Sequence, residues 1–329
     1  MLAIKVHEFG GPASMVLEEL PTPAPGPGEI LAKVQAAGIN FKDTQFRSGL
    51  YKGEPPVSLG TEGAGTVVSV GSGVTGLETG DSICWMYSTA HRPPPHGSYA
   101  SHAIVPADNV VPLPAGLSFE QAAAVLFQGV TAHYLSHSTY PLGPGDSCLV
   151  HSAAGGVGSL LCQMAKMRGA MVIATVSTDA KAEIARQSGA DHVINYARQD
   201  FAAEVRRITG GQGVHVVYDA VGQQTFAKSL DSLRRRGLLA LYGEASGVVP
   251  PLDPRLLTSK GSVFLTRTGA SHYIADHAEF LERAQAVLGW AAAGKIRVWI
   301  HKAYPLKEAA EAHRALEQRE TIGKLLLIP

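Results

Sequence analysis

The chain has 329 residues, and its 28 lysines and arginines balance 28 aspartates and glutamates to a formal net charge of zero. That balance offers no bulk attraction for nucleic acid or another polyanion, and the length suits two domains, each able to bury a core. The three cysteines, Cys84, Cys148 and Cys162, form no CxxC pair and no disulfide framework, which suits a reducing cytoplasm, and no apolar run is long enough to span a membrane.

Residues 1 to about 120 read as β-rich. Met1-Leu2-Ala3-Ile4-Lys5-Val6-His7-Glu8 alternates like a strand and lacks the apolar segment of a signal peptide. Strands are predicted at Leu2–His7, Glu29–Ala36, Gly65–Val70 and His102–Val105, and a further one starts within Gly80–Trp85. Turn-rich stretches such as Pro21–Gly28 and Gly71–Gly73 part them. Asn40 and Asp43 fall on a loop after the second strand, where local Asx-turn bonding competes with a functional role. Near Ser118 the character changes. Ser118 and Gln121 fit a capping box that opens a helix through Ala122–Val125.

From 125 to 265 strands and helices alternate, with strands at Cys148–His151, Met171–Val176, His192–Asn195, Val214–Asp219, Leu238–Tyr242 and Ser262–Leu265. Such alternation predicts a doubly wound parallel sheet. An amphipathic helix over Ala278–Ala293, a strand at Val298–Ile300, a helix over Leu306–Glu317 and a final strand Lys324–Ile328 follow. The last strand is expected to complete the N-terminal domain rather than extend the parallel sheet. The fold class is therefore α/β, with a β-rich domain over 1–124 completed by 266–329, and a parallel-sheet domain over 125–265.

The most informative stretch is Ser147–Gly158, an apolar strand that runs into Ala153-Ala154-Gly155-Gly156-Val157-Gly158 and then a helical pattern. Its A-x-G-x-x-G turn is a close variant of the dinucleotide fingerprint, in which backbone N–H groups and the helix N-terminus face a pyrophosphate. Glycine turns also serve simple close packing, so the next strand decides. Met171–Val176 ends about twenty residues beyond the glycines, where an NAD site places a carboxylate for the ribose 2′-hydroxyl. Here Ser177-Thr178 stand at that tip and Lys181 follows, which favours the 2′-phosphate of NADPH. Asp179 is the awkward residue; as a helix N-cap it would turn to its own backbone.

Several motifs carry a resemblance over essentially the whole chain. Gly38-Ile39-Asn40-Phe41-Lys42-Asp43, Leu59-Gly60-Thr61-Glu62-Gly63-Ala64-Gly65, the turn Ala153–Gly158, Val217-Tyr218-Asp219-Ala220-Val221-Gly222 and the terminal Leu326-Leu327-Ile328-Pro329 look like the zinc-free quinone oxidoreductases. These belong to the medium-chain dehydrogenase/reductase superfamily, with ζ-crystallin as a relative. The resemblance implies a GroES-like catalytic domain interrupted by a Rossmann domain, with NADPH held between them. It implies pyrophosphate contacts from Gly155, Gly156 and Val157, and 2′-phosphate contacts from Ser177, Lys181, Tyr196 and Arg319. Gln128, Thr131, Val221, Tyr242, Gly243 and Leu265 are further cofactor candidates, and Asn40, Tyr51 and Arg267 would surround the nicotinamide and the acceptor. Simpler readings stand beside these: Tyr51 as loop packing, Tyr196 as an edge tyrosine and Arg267 as half of a surface salt bridge.

A catalytic zinc needs converging Cys, His or carboxylate ligands with one open position. Zinc-dependent relatives place a Cys at or near Asn40 and a His at Thr61, and four cysteines in a lobe after residue 84. Ser88–Gly97 contains no cysteine, and His91 with His96 lacks a third partner. Without a Lewis acid, alcohol oxidation is hard, whereas reduction of an already electrophilic acceptor remains feasible. The expected activity is NADPH-dependent quinone reduction resting on proximity and orientation, since no Ser/His/Asp or Cys/His arrangement demands a nucleophile. The alternatives are an enal or enone reductase of the same architecture, or a non-enzymatic structural or RNA-binding role. The last is disfavoured by neutral charge and the lack of an arginine/lysine–aromatic stripe. A homodimer is expected through the apolar edge strand containing Val263, Phe264 and Leu265.

Overall fold

In the computed structural model, which describes residues 1–51, 53–87, 94 and 96–329, the β-rich and the alternating parts of the sequence form separate units. Unit 1 comprises Met1–Val130 and Tyr273–Pro329, and unit 2 comprises Thr131–His272. His91 lies outside the described residues.

Unit 1 opens with strands β1 (Leu2–Val6), β2 (Met15–Glu19), β3 (Glu29–Ile39), β4 (Val57–Ser58), β5 (Glu62–Val70), β6 (Ser82–Met86), β7 (His102–Pro106) and β8 (Val110–Pro112). β1 pairs antiparallel with both β2 and β4, making a small three-stranded sheet. β3 is the organising strand of the larger sheet: it pairs antiparallel with β5 and β7, while β5 continues to β6 and β6 to β8. Its central position explains why Ala36, Ala37, Gly38 and Ile39 are all buried, where a half-exposed strand would alternate. The core between these elements gathers Val6, Ile30, Val34, Ile39, Phe46, Leu59, Trp85 and Leu327.

Asn40 and Asp43 do not lie on a loop. Asn40 is the N-cap of a helix, α1 (Phe41–Arg47), and the Asp43 carboxylate accepts the Asn40 backbone N–H at 2.8 Å. The sequence reading missed this helix because its apolar residues are too few to show a 3.6-residue period. The Ser118/Gln121 capping box forms in both directions, at 3.1 and 3.2 Å, ahead of α2 (Phe119–Tyr134). The boundary between the units falls inside this helix, after Val130.

Unit 2 carries β9 (Ser147–Val150), α3 (Gly156–Met167), β10 (Met171–Val176), α4 (Asp179–Gln187), β11 (His192–Asn195), α5 (Phe201–Ile208), β12 (Val214–Asp219), α6 (Phe226–Asp231), β13 (Leu233–Leu241) and β14 (Phe264–Arg267). All six strands run parallel in the order β11-β10-β9-β12-β13-β14, which is the doubly wound dinucleotide-binding order 3-2-1-4-5-6. The edge strand begins two residues later than predicted. Ser262 has φ 55°, a left-handed conformation outside the extended strand region, and pairing starts beyond it.

The chain then returns to unit 1. A helix spans His277–Ala292, and β15 (Ile300–Pro305) and β16 (Lys324–Ile328) pair in parallel, with β16 antiparallel to β3. The final strand thus completes the N-terminal sheet. Val298 and Trp299, predicted as strand, precede β15 instead; the Trp299 carbonyl accepts the Lys324 N–H at 2.7 Å and fixes where pairing begins.

Candidate functional site

The Asn40 side chain in unit 1 sits in a buried ionic cluster. The ammonium of Lys324, at the head of β16, donates to Asn40 Oδ1 at 2.8 Å and to Glu62 Oε1 at 2.5 Å. Asn40 Nδ2 donates to Thr61 Oγ1 at 3.1 Å and Glu62 Oε1 at 2.9 Å, and the Phe127 N–H donates to Glu62 Oε2 at 2.9 Å. Both amide hydrogens of Asn40 are therefore committed inside the protein. Lys324 is 1 % exposed and Glu62 0 %, so neither charge is solvated and each depends on the other. Gly38 makes room for them: a Cβ there would lie 2.4 Å from Glu62 Oε1.

A second line of buried groups runs from this cluster to the surface. Asp43, fully buried, accepts from the Asn40 N–H, from the Gly60 N–H at 3.3 Å and from the Tyr99 hydroxyl at 3.3 Å. Tyr99 in turn meets His313 Nε2 at 3.0 Å, and His313 Nδ1 meets the Arg47 guanidinium at 3.0 Å. Arginine can only donate, so His313 Nδ1 accepts and Nε2 carries the proton toward Tyr99. Arg47 also binds Glu317 and the Gly10 carbonyl. Burial pushes the Asp43 carboxyl up to about 6. Burial, with the Arg47 charge beside it, holds His313 down to about 3.

Tyr51 packs against the unit 1 core, its ring 5.6 Å from that of Phe46, which is the packing alternative. Gln128 is buried on α2 and its Oε1 has no hydrogen-bond partner among the described residues. Arg319 is exposed, just past the helix Ala309–Glu317, with φ 59°.

In unit 2 the glycine turn connects β9 to α3. Gly155 is the N-cap of α3, no side chain caps the helix and no acidic residue occupies its first turn. No side chain therefore caps its leading N–H groups, on Gly156, Val157 and Gly158. Gly158 is required by close approach, since a Cβ there would lie 2.3 Å from the Ser152 carbonyl oxygen. Beneath the turn, His151 is fully buried between Thr175 Oγ1 (2.8 Å) and Ser229 Oγ (3.0 Å). Ser229 donates its hydroxyl to Asp219 at 2.8 Å, so it accepts from His151 Nε2–H, and Thr175 donates to Nδ1. This Ser–His–Asp grouping is no nucleophilic triad, because the serine proton is spent on the aspartate rather than offered to the histidine. It ties the carboxyl ends of β9, β10 and β12 together and fixes the turn that follows β9. Asp219 also accepts the N–H groups of Val221 and Gly222, at 2.8 and 3.0 Å.

Ser177 follows β10, and Tyr196 follows β11 with 45 % of its surface exposed. Thr178, not Asp179, is the N-cap of α4: its hydroxyl accepts the Lys181 N–H at 3.3 Å. Asp179 instead pairs with Arg198 and accepts from Asn195 Nδ2. Thr131 lies on α2, Tyr242 and Gly243 directly after β13, and Leu265 within β14. Arg267 ends β14 and pairs with Glu244 at 3.3 Å, the salt-bridge alternative. Sequence reasoning passed over Lys324, His151 and Arg198. The first two could have been flagged as polar residues bounding apolar strands, and the third as a cation two positions beyond Tyr196.

A zinc ion does not fit the residues at the positions that relatives use. Asn40 and Thr61 offer an amide and a hydroxyl in place of thiolate and imidazole, and Glu62 is already paired with the Lys324 ammonium. Among the described residues no group of three or more His, Cys, Asp or Glu side chains could hold a metal.

Residues 26–115 match the family described as alcohol dehydrogenase GroES-like domain, and residues 156–288 the family described as zinc-binding dehydrogenase. The chain is 42 % identical to a 2-haloacrylate reductase from a Burkholderia species, over 100 % of this chain and 99 % of that one. It is 43 % identical to quinone oxidoreductase 1 of Escherichia coli, over 99 % of each chain. The solved structure of E. coli quinone oxidoreductase complexed with NADPH superposes with a TM-score of 0.96 at 42 % identity, covering 100 % of both chains. With likeness of this extent, and with an amide at Asn40 and a hydroxyl at Thr61 in place of zinc ligands, the chain belongs to the zinc-free quinone oxidoreductase family of the medium-chain dehydrogenase/reductases.

Proposed function

We propose that the protein is an NADPH-dependent oxidoreductase that reduces quinones without a metal. The observation that carries this reading is the end-to-end match to a quinone oxidoreductase solved with NADPH, combined with an uncapped glycine turn at the first strand of a dinucleotide-type sheet. The residues fit that cofactor. The N-terminus of α3 offers N–H groups for a pyrophosphate, and Gln128 Oε1 is a buried acceptor without a partner among the described residues.

In this reading unit 2 binds pyrophosphate through Gly155, Gly156 and Val157. Ser177, Lys181 and Tyr196 take the 2′-phosphate, and Thr131, Val221, Tyr242, Gly243 and Leu265 hold the remainder of the cofactor. Asn40, Gln128 and Arg319 are further cofactor residues in this reading. Asn40, Tyr51 and Arg267 orient the acceptor. When bound, NADPH would supply the electrons, as a hydride or singly, and solvent or a hydroxyl the protons that complete the reduction of a quinone. The chain's own contribution is binding and orientation. Asn40 is suited to a fixed wall, because its amide is locked by Lys324, Thr61 and Glu62.

The full-length likeness to a 2-haloacrylate reductase favours a second reading, in which the acceptor is an activated carbon–carbon double bond. Steady-state rates with 1,4-benzoquinone and with an alkenal, at equal NADPH, separate the two. Quinone turnover should exceed alkenal turnover, and the reverse order would transfer the assignment to the alkene.

We further propose a homodimer in the cytoplasm. β14 is the edge of the six-stranded sheet and Phe264 on it is 60 % exposed, an apolar edge that a partner strand would cover. Three buried free thiols suit a reducing compartment, and among the described residues no helix is long and apolar enough to cross a membrane. Sedimentation of the wild type as a dimer and of Phe264→Glu as a monomer would support this; a wild-type monomer at micromolar concentration would overturn it.

A further inference from the structure

The tip of β10 is where the dinucleotide fold discriminates NAD from NADP, and this chain carries both signs of charge there. Asp179 is the first residue of α4, within a few residues of the strand end, where a carboxylate ordinarily favours the ribose 2′-hydroxyl and repels a 2′-phosphate. It does not stand alone. Arg198 NH2 lies 3.1 Å from Asp179 Oδ2 and NH1 lies 3.3 Å from Oδ1, a forked contact, and Asn195 Nδ2 donates to Oδ1 at 3.3 Å. Arg198 is presented by a fixed turn. Its N–H and that of Gln199 both donate to the Asn195 carbonyl at 3.0 Å, and Asn195 Oδ1 accepts the Ala197 N–H at 3.1 Å. Pairing of β10 with β11, which sets Val176 opposite Asn195, brings this turn beside α4.

We propose that Arg198 is a specificity-determining residue: it masks the Asp179 carboxylate and presents a guanidinium to the 2′-phosphate of NADPH. The pair is open to solvent, with side-chain exposures of 69 % and 72 %, so a phosphate can reach the guanidinium without unfolding anything. The fork toward Asp179 uses one N–H of each terminal nitrogen, so the remaining guanidinium N–H donors can meet a phosphate while the carboxylate stays masked, and a charge-assisted contact of that kind is stronger than an exposed ion pair. Removing Arg198 therefore has two effects of one sign. The phosphate loses a donor, and it meets an uncompensated carboxylate.

This inference rests on the NADPH reading, and direct binding separates the two. Calorimetric titration would compare 2′,5′-ADP, NADPH and NADH on wild type, Arg198→Ala, and Asp179→Ala combined with Arg198→Ala. Arg198→Ala should weaken 2′,5′-ADP and NADPH by about ten-fold or more and leave NADH unchanged or tighter. The double variant should regain part of that loss, because the repelling carboxylate has gone. If wild type prefers NADPH but Arg198→Ala binds it as tightly, or weakens NADPH and NADH by the same factor, Arg198 has no such role. A double variant as weak as Arg198→Ala would overturn the masking of Asp179. Equal binding of both cofactors by wild type would instead refute the NADPH reading itself.

Discussion

Replacing Lys324 by Met tests whether the Glu62–Lys324 pair holds unit 1 together. The substitution keeps the length of the apolar stem and removes only the ammonium. Glu62 is then left buried with the Asn40 amide and the Phe127 N–H as its donors, and Asn40 Oδ1 loses the Lys324 N–H. Stranding one member of a buried pair costs roughly 3–5 kcal/mol. Because two of the Glu62 hydrogen bonds survive, the lower end, about 3 kcal/mol, is expected. All three tryptophans, Trp85, Trp290 and Trp299, lie in unit 1, so urea denaturation followed by tryptophan fluorescence reports this unit directly. Glu62→Gln should cost a comparable amount. The double variant should cost much less than the sum, since the two residues share one network. A loss below about 1 kcal/mol for Lys324→Met, or simple additivity with Glu62→Gln, would show that the pair carries little of the stability of unit 1.

The buried groups near α1 set a dependence on acid. His313, held near 3 when folded and titrating near 6.5 when unfolded, makes the folded state bind fewer protons between those values, so its contribution is lost as pH falls through that window. Asp43, raised from 3.8 to about 6, acts oppositely, stabilising the fold as pH falls from 6 to 3.8. His313→Gln should therefore move the acid-unfolding midpoint of unit 1 to lower pH, and a stability difference from wild type that stays constant between pH 6.5 and 3 would contradict this. Lys181→Ala should raise the NADPH Michaelis constant by about ten-fold, since a partly screened lysine–phosphate contact is worth roughly 1–2 kcal/mol, while NADH kinetics barely change; equal losses for both cofactors would rule the contact out. Elemental analysis of protein purified without chelators should find no stoichiometric zinc, and one zinc per chain would refute the reading of the Lys324 cluster.

The parallel-sheet unit was legible because its signals are local. Each strand is a short apolar run, each is followed by a helical pattern, and the glycine turn lies at the first crossover. Met171–Val176, His192–Asn195 and Val214–Asp219 fall where expected for that reason. The charged cluster was not legible, because it is assembled across the chain. A lysine at the head of Lys324–Ile328 reads as a solvated strand end, and its carboxylate partner is 262 residues earlier. The antiparallel pairings of β16 with β3 and of β3 with β5, the strand that Glu62 begins, bring them together. Arg198 was hidden in the same way, since its meeting with Asp179 depends on the register between β10 and β11. Thr178 and Asp179 are both good N-caps, and sequence alone favoured the wrong one.

The central claim is that reducing equivalents pass from NADPH to a quinone on this chain. The most direct test is the quinone-dependent oxidation of NADPH and of NADH by the purified protein, with 1,4-benzoquinone as acceptor and the uncatalysed rate subtracted. Saturable turnover is expected, with kcat/KM for NADPH exceeding that for NADH by about ten-fold or more, the size of one good phosphate contact. No oxidation above the uncatalysed rate, or equal use of the two cofactors, would contradict it.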